Sequence, residues 1–356
     1  MLPAVRAPLE DVLSAMAQQQ ATPRPEWIAG QRWDLGWLTL SAVLVAIPPL
    51  AHTFWRVGAT GVDILVTLMI GGPHMYATFL RTVMEPRFRN RHPLLAWFPV
   101  FAVPAAVVTA SVFAFQGLLS FFFFWASIHI CDQASYIAGQ YRARGGHYRP
   151  WEKWFDFAVV LSSLYTLSIY RFVEGTFVIS GYRIFFPEFL KQAWVPRAFA
   201  FGTAALLATW VVRSWNQYRA GQIPKPYFYF MGSTIIVGFV VPLFHELSVS
   251  FQGFNAWHSF QYLGLTFLAL NQGQSAGSVT ASFVKQMARP DRFLRYYGWN
   301  ILLTTGAGVL ILGLTMGLKL PTEQCYYSVV LSFLLVHYFH DTVLFSDRVE
   351  TSLAIV

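Results

Sequence analysis

Blocks of about 20 apolar residues, separated by short charged or Gly/Pro-rich breaks, recur along almost the whole chain. A helix of that length rises about 30 Å, the thickness of a bilayer's hydrocarbon core. Inside that core every backbone N–H and C=O needs an internal partner, which restricts such blocks to helices. The pattern predicts an all-α fold, a polytopic transmembrane helical bundle of about ten spans. They fall at 36–53, 61–84, 94–113, 117–138, 154–171, 197–214, 227–248, 254–273, 296–317 and 325–346. Only 12% of the 356 residues are charged, about half the share of a soluble domain. Residues 1–35 read as a cytosolic N-terminal segment with "LEDVLSAMAQQQ" as a short surface helix, 36–350 as one transmembrane domain, and 351–356 as a cytosolic tail. Residues 1–30 lack the apolar run of a cleaved signal peptide.

The net charge of +8 is distributed by topology. With the N-terminus inside, all but six of the 25 Lys and Arg lie on the cytosolic side; the six are Arg56, Arg171, Arg183, Lys191, Arg197 and Lys319. The positive-inside rule then predicts an even number of spans with both termini cytosolic; the location expected is a bacterial inner membrane. Anionic lipid at the cytosolic face accounts for the basic excess, with no need for nucleic acid. Cys131 and Cys325 lie in apolar blocks and suggest no disulfide framework. The longest outer loop, "RFVEGTFVISGYRIFFPEFLKQAW", reads as an interfacial segment.

Against this background the intramembrane histidines stand out. His92 and His147 belong to basic loops and His52 to a span end, but His74, His129, His245, His258, His337 and His340 are within or near apolar helices. Counted from the outer end of each span, His74, His129 and His337 share a layer about 20 Å deep. On these boundaries His258 is shallower, His245 shallower still, and His340 one turn deeper than His337. Each histidine of the layer has a polar residue one turn on: Thr78, Asp132 and Gln133, Gln261 and Tyr262, His340 and Asp341. Ionisable groups in a bilayer are costly and face the bundle interior, so clustering them from separate helices shares that cost. A divalent metal offsets it further, with Asp132 either orienting a ligand or binding the ion itself. Imidazoles with a nearby carboxylate suit iron, zinc or copper. Haem held by paired histidines is a further option, weakened by "SFQGFNA", which reads as a turn between His245 and His258.

Four motifs, "GGPHMYATF", "SIHICD", "WHSFQY" and "VHYFHDTVLF", together resemble the histidine elements of the bacterial and archaeal membrane β-carotene 15,15'-dioxygenases, the bacterio-opsin-related family, in the same order. The third motif departs from the family in carrying Tyr262 where a second histidine is usual. The resemblance implies a non-haem iron (Fe2+) site with His74, His129, His258 and one of His337 or His340 as ligands. It also implies a membrane-bound iron-dependent oxygenase that uses dioxygen on an apolar lipid or isoprenoid, carotenoid-like, substrate. In such a site Tyr262 hydrogen-bonds the oxygen, Asp132 and Asp341 act as supporting carboxylates or direct ligands, and aromatics line a route for the substrate. Two other classes use the same histidines: a haem- or quinone-binding electron carrier, and a proton-coupled transporter. Gly71-Gly72-Pro73 is either a transporter-like helix break or a local release of a carbonyl that aims His74 inward.

Overall fold

The computed structural model describes residues 25–345 except positions 147, 180 and 245. The surface helix expected in "LEDVLSAMAQQQ", the tail 351–356, His147 and His245 therefore lie outside the described residues. The described residues form an all-α helical bundle: α1 (Gln31–Phe54), α2 (Ala59–Arg81), the short α3 (Pro86–Arg91), α4 (Pro93–Phe113), α5 (Phe115–Arg144), α6 (Pro150–Val173), α7 (Val195–Arg219), α8 (Lys225–Val240), α9 (Leu247–Ser275), the short α10 (Ser282–Met287), α11 (Phe293–Leu318) and α12 (Thr322–Leu344). A two-residue hairpin, β1 (Val178–Ile179) with β2 (Tyr182–Arg183), interrupts the long loop after α6.

Nine of these helices are long and apolar enough to cross a membrane; α9 is not one of the nine. The reason lies in its side chains. Gln252, Asn255, His258, Gln261, Asn271, Gln272 and Gln274 lower its hydropathy; His258 and Gln261 are buried, and Gln252 and Asn255 line a cavity beside His74. The apolar surplus faces the other way. Phe101, Phe201, Leu302, Val309 and Met316 are exposed on the outside of the bundle, the reverse of a soluble protein and the arrangement lipid contact requires.

The long loop after α6 folds back onto the bundle rather than lying wholly at an interface. Phe177, Ile179 and Ile184 are buried against Phe123, Phe172 and Leu247, while Phe185, Phe189 and Trp194 stay exposed. At the opposite end the chain before α1 is pinned by charge. Asp34 accepts from the Ile28 and Ala29 amides at 2.7 and 2.9 Å and from the Tyr141 hydroxyl at 2.8 Å. Arg144 donates to the Trp27 and Ile28 carbonyls.

Sequence reasoning missed a buried ionic network on the arginine-rich side. Arg142, fully buried, makes a two-pronged pair with Asp156 at 2.7 and 2.9 Å. It also donates to Gln217, which reaches Glu152, and Glu152 in turn accepts from Arg213 at 2.6 Å. The network ties α5, α6 and α7 together. Its signal in the sequence was weak, because Arg142 sits among other arginines that the positive-inside rule already explains.

Close approach of the helices is set by small residues. A Cβ on Gly253 of α9 would lie 2.2 Å from the Val45 carbonyl oxygen of α1. One on Gly72 of α2 would lie 2.2 Å from Thr304 Cγ2 of α11. Both contacts brace the helices that carry histidines.

Candidate metal centre

Four helices each contribute one histidine: His74 from α2, His129 from α5, His258 from α9 and His337 from α12. One ring nitrogen from each lies within 4.8 Å of every other, and all four side chains are buried. The depth estimated for His258 was too shallow because α9 begins at Leu247. The turn expected in "SFQGFNA" is helical, and His258 is the twelfth residue of its helix.

His74 is aimed by its backbone. Residues Thr67–Gly71 form a π-helical turn that runs on into Gly72–Arg81, so the Gly71-Gly72-Pro73 stretch is a bulge within one helix and not a break. Pro73 has no N–H to give to Met69, and the Tyr297 hydroxyl donates to that carbonyl instead. His74 Nδ1 lies 2.5 Å from the Gly71 carbonyl and 2.9 Å from Ser259 Oγ. A carbonyl only accepts, so Nδ1 carries the proton and Nε2 is left as a lone pair.

His337 is fixed by the same logic. Its Nδ1 is 2.5 Å from Thr78 Oγ1, which donates to Asp341 Oδ1 at 3.2 Å. The Tyr262 hydroxyl, 2.5 Å from Thr78, donates to Asp341 Oδ1 at 2.6 Å. Again Nδ1 is engaged and Nε2 is free. His129 is stacked on Tyr338, with ring centroids 4.1 Å apart and planes 24° apart. His129 Nε2 is 3.9 Å from Asp341 Oδ2, and His337 Nδ1 is 3.6 Å from it.

The Nε2 atoms of all four histidines are buried without a hydrogen-bond partner, as are His258 Nδ1 and Asp341 Oδ2. One orphaned buried polar atom costs about 1–3 kcal/mol; a convergent set of imidazole nitrogens is the arrangement a cation satisfies. Metal–nitrogen bonds of about 2.1 Å put ligand atoms about 3.4 Å apart in a tetrahedral site and about 4.2 Å apart when opposite. Separations up to the observed 4.8 Å close on an ion when each nitrogen moves inward by about 0.3 Å for opposite ligands and by up to about 0.8 Å for a tetrahedral set. The donor set therefore fits a metal ion. It does not fit haem: neighbouring ring centroids are only 4.6 to 5.2 Å apart around the cycle His74, His258, His129, His337, which leaves no slot for a porphyrin.

The expected site residues divide by helical spacing. In each of the four helices the residue four on from the histidine stays on the buried face beneath it: Thr78, Gln133, Tyr262 and Asp341. Residues three on turn away, since four residues rotate about 40° past a full turn whereas three fall about 60° short. Asp132 is placed elsewhere, its Oδ1 3.2 Å from Lys153 Nζ of α6. His340 is also placed elsewhere, its Nε2 3.1 Å from the Leu95 carbonyl and its Nδ1 3.3 Å from Thr82 Oγ1. Gln261 donates to the Leu38 carbonyl at 2.7 Å. Gln133 reaches the His258 carbonyl at 3.4 Å. Ser259 and Asn255 join the site although the sequence reading passed over them. The signal was available: Gln252, Asn255 and Ser259 recur at three and four residues, leading into His74's partner.

No family model, curated protein or solved structure matches this chain. Fold and site by themselves define a helical membrane protein whose interior holds a four-histidine group suited to a metal ion.

Proposed function

We propose that the chain is an integral membrane, iron-dependent oxygenase acting on an apolar lipid or isoprenoid substrate, carotenoid-like in shape, in a bacterial inner membrane. The observation that carries the reading is the convergence of four buried imidazoles whose Nε2 atoms lack partners. On this reading α9 is the tenth crossing, and both ends of the chain lie on the arginine-rich side. His74, His129, His258 and His337 would hold the ion, and ferrous iron there would supply a site that binds and activates dioxygen. Zinc or copper would fill the same nitrogen set.

The remaining residues act around that centre. Thr78 and Asp341 hold His337 in the tautomer that leaves Nε2 free. Asp341 Oδ2, without a partner and within 4 Å of two of the rings, is placed to hold or release a proton beside the reacting atoms. Tyr262 donates to the other carboxylate oxygen and keeps Asp341 turned toward the histidines. A file of aromatic rings supports approach of the substrate from the lipid. Phe121, exposed on the bundle surface, meets Trp125 edge-on at 5.2 Å; Trp125 lies 6.3 Å from Tyr338, which stacks on His129. Such a file excludes water and offers apolar contact along its length.

The test is substrate-dependent dioxygen uptake by purified, iron-loaded protein in lipid nanodiscs, screened across isoprenoids and unsaturated lipids. The reading expects uptake with at least one such substrate and loss of it in His129→Ala. Uptake by no apolar substrate, with iron stoichiometrically bound, would leave a metal protein of another activity.

A further inference from the structure

A small cavity of about 60 Å³ opens between α2, α9 and α12 and ends at His74; Asp63, Thr67, Gln252, Asn255 and Tyr326 are among its walls. It has room for a few water molecules. One wall is a run of side chains with a single direction of donation. Ser259 Oγ donates to Asn255 Oδ1 at 2.9 Å, and Asn255 Nδ2 donates to Gln252 Oε1 at 3.2 Å. Gln252 is the side-chain hydrogen-bond partner of Asp63. Its carbonyl oxygen is taken by Asn255, so its Nε2–H is what remains for the carboxylate. At the other end Ser259 has used its only proton, so its oxygen, 2.9 Å away, shares His74 Nδ1–H with the Gly71 carbonyl. Each donor therefore points away from His74 and toward Asp63.

We propose that Asp63 is a remote positioning residue of the four-histidine centre, acting on His74 through Gln252, Asn255 and Ser259. The proposal rests on the metal reading of that centre. A carboxylate bonded directly to the outer N–H of a ligating histidine fixes its tautomer and raises its basicity. Here the same role is relayed through two amides and a hydroxyl. The amides carry polarisation and orientation, not protons, because an amide N–H does not pass its proton on at ordinary pH. The chain also explains why three polar residues of α9 face a wall of lipid-embedded helix: each is consumed by its neighbour. Gly71 lets the chain pass, since a Cβ there would lie 2.8 Å from Asn255 Nδ2.

The experiment is cobalt(II) titration of the purified full-length protein, reading the dissociation constant by chelator competition and the visible d–d bands of the bound ion. Ser259→Ala is expected to weaken cobalt binding roughly tenfold or more, Asp63→Asn to weaken it several-fold, and both to shift the bands, with Ser259→Thr restoring wild-type values. The double variant should bind no more weakly than Ser259→Ala alone, because Asp63 acts through Ser259. Wild-type affinity and spectrum in Asp63→Asn and Ser259→Ala would overturn the relay while leaving the metal centre intact. Failure of the wild-type protein itself to bind cobalt would overturn the metal reading and the relay with it.

Discussion

Thr78 Oγ1 of α2 lies 2.5 Å from Nδ1 of His337 on α12, although the two residues are 259 positions apart in the chain. A single hydroxyl thus orients a ring on another helix and donates its own hydrogen bond to Asp341. Thr78→Val keeps the shape and removes the hydroxyl. It should weaken metal binding about 10- to 100-fold and cost about 1–3 kcal/mol of stability through the unpaired groups left behind. Chelator competition and thermal unfolding in detergent check the two effects separately.

Asp132 and His340 stand three residues beyond a histidine and face other partners. Asp132→Asn and His340→Ala are expected to retain wild-type metal content. The Asp132–Lys153 pair, partly exposed, contributes at most about 1 kcal/mol. Elemental analysis of the two purified variants decides it: loss of metal in either would assign that residue to the centre.

The all-α helical bundle with its long apolar helices was legible from block length and hydropathy, because backbone hydrogen bonding leaves a lipid-embedded chain few options. The layer of His74, His129 and His337 was legible too, since depth follows from counting residues in helices. Which neighbours serve the site was not. Three- and four-residue spacings both count as one face in a sequence, and only the rotation of each helix against its neighbours separates Asp341 from His340 or Gln133 from Asp132. His258 was misplaced in depth because polar residues ahead of it imitate a turn. The segment is helical and packs on α1 and α2 instead, Gly253 against the Val45 carbonyl and Asn255 beside Gly71.

Gly72→Ala would set a methyl group 2.2 Å from Thr304 Cγ2 and 2.8 Å from the Thr67 carbonyl. Overpacking of this kind costs about 1–3 kcal/mol. Because Gly72 lies two residues before His74, metal affinity should fall as well. Thr304→Ala in the same chain should recover part of the stability, and the backbone contact with Thr67 should keep recovery incomplete. Thermal melts of the single and double variants give the comparison.

Arg142 balances two buried carboxylates, Asp156 and Glu152. Arg142→Leu leaves Asp156 without its cation and Glu152 with Arg213 alone, and should cost about 3–5 kcal/mol. Arg142→Lys should recover little, since one ammonium cannot reproduce the two-pronged contact with Asp156 together with the bonds to Gln217 and Tyr227. Neither variant touches the histidines, so any folded fraction should still bind metal. Denaturation in detergent, followed by metal analysis of the monodisperse fraction, measures both.

The most direct test of the four-histidine centre is the metal content of the purified protein beside His74→Ala, His129→Ala, His258→Ala and His337→Ala, each shown to be folded by size-exclusion chromatography and circular dichroism. One transition-metal ion per wild-type chain, and a marked loss in every one of the four variants, is the result expected. Metal at wild-type level in all four, or a wild-type protein that binds none under anaerobic iron, zinc or copper loading, would contradict the claim that these rings converge to hold an ion.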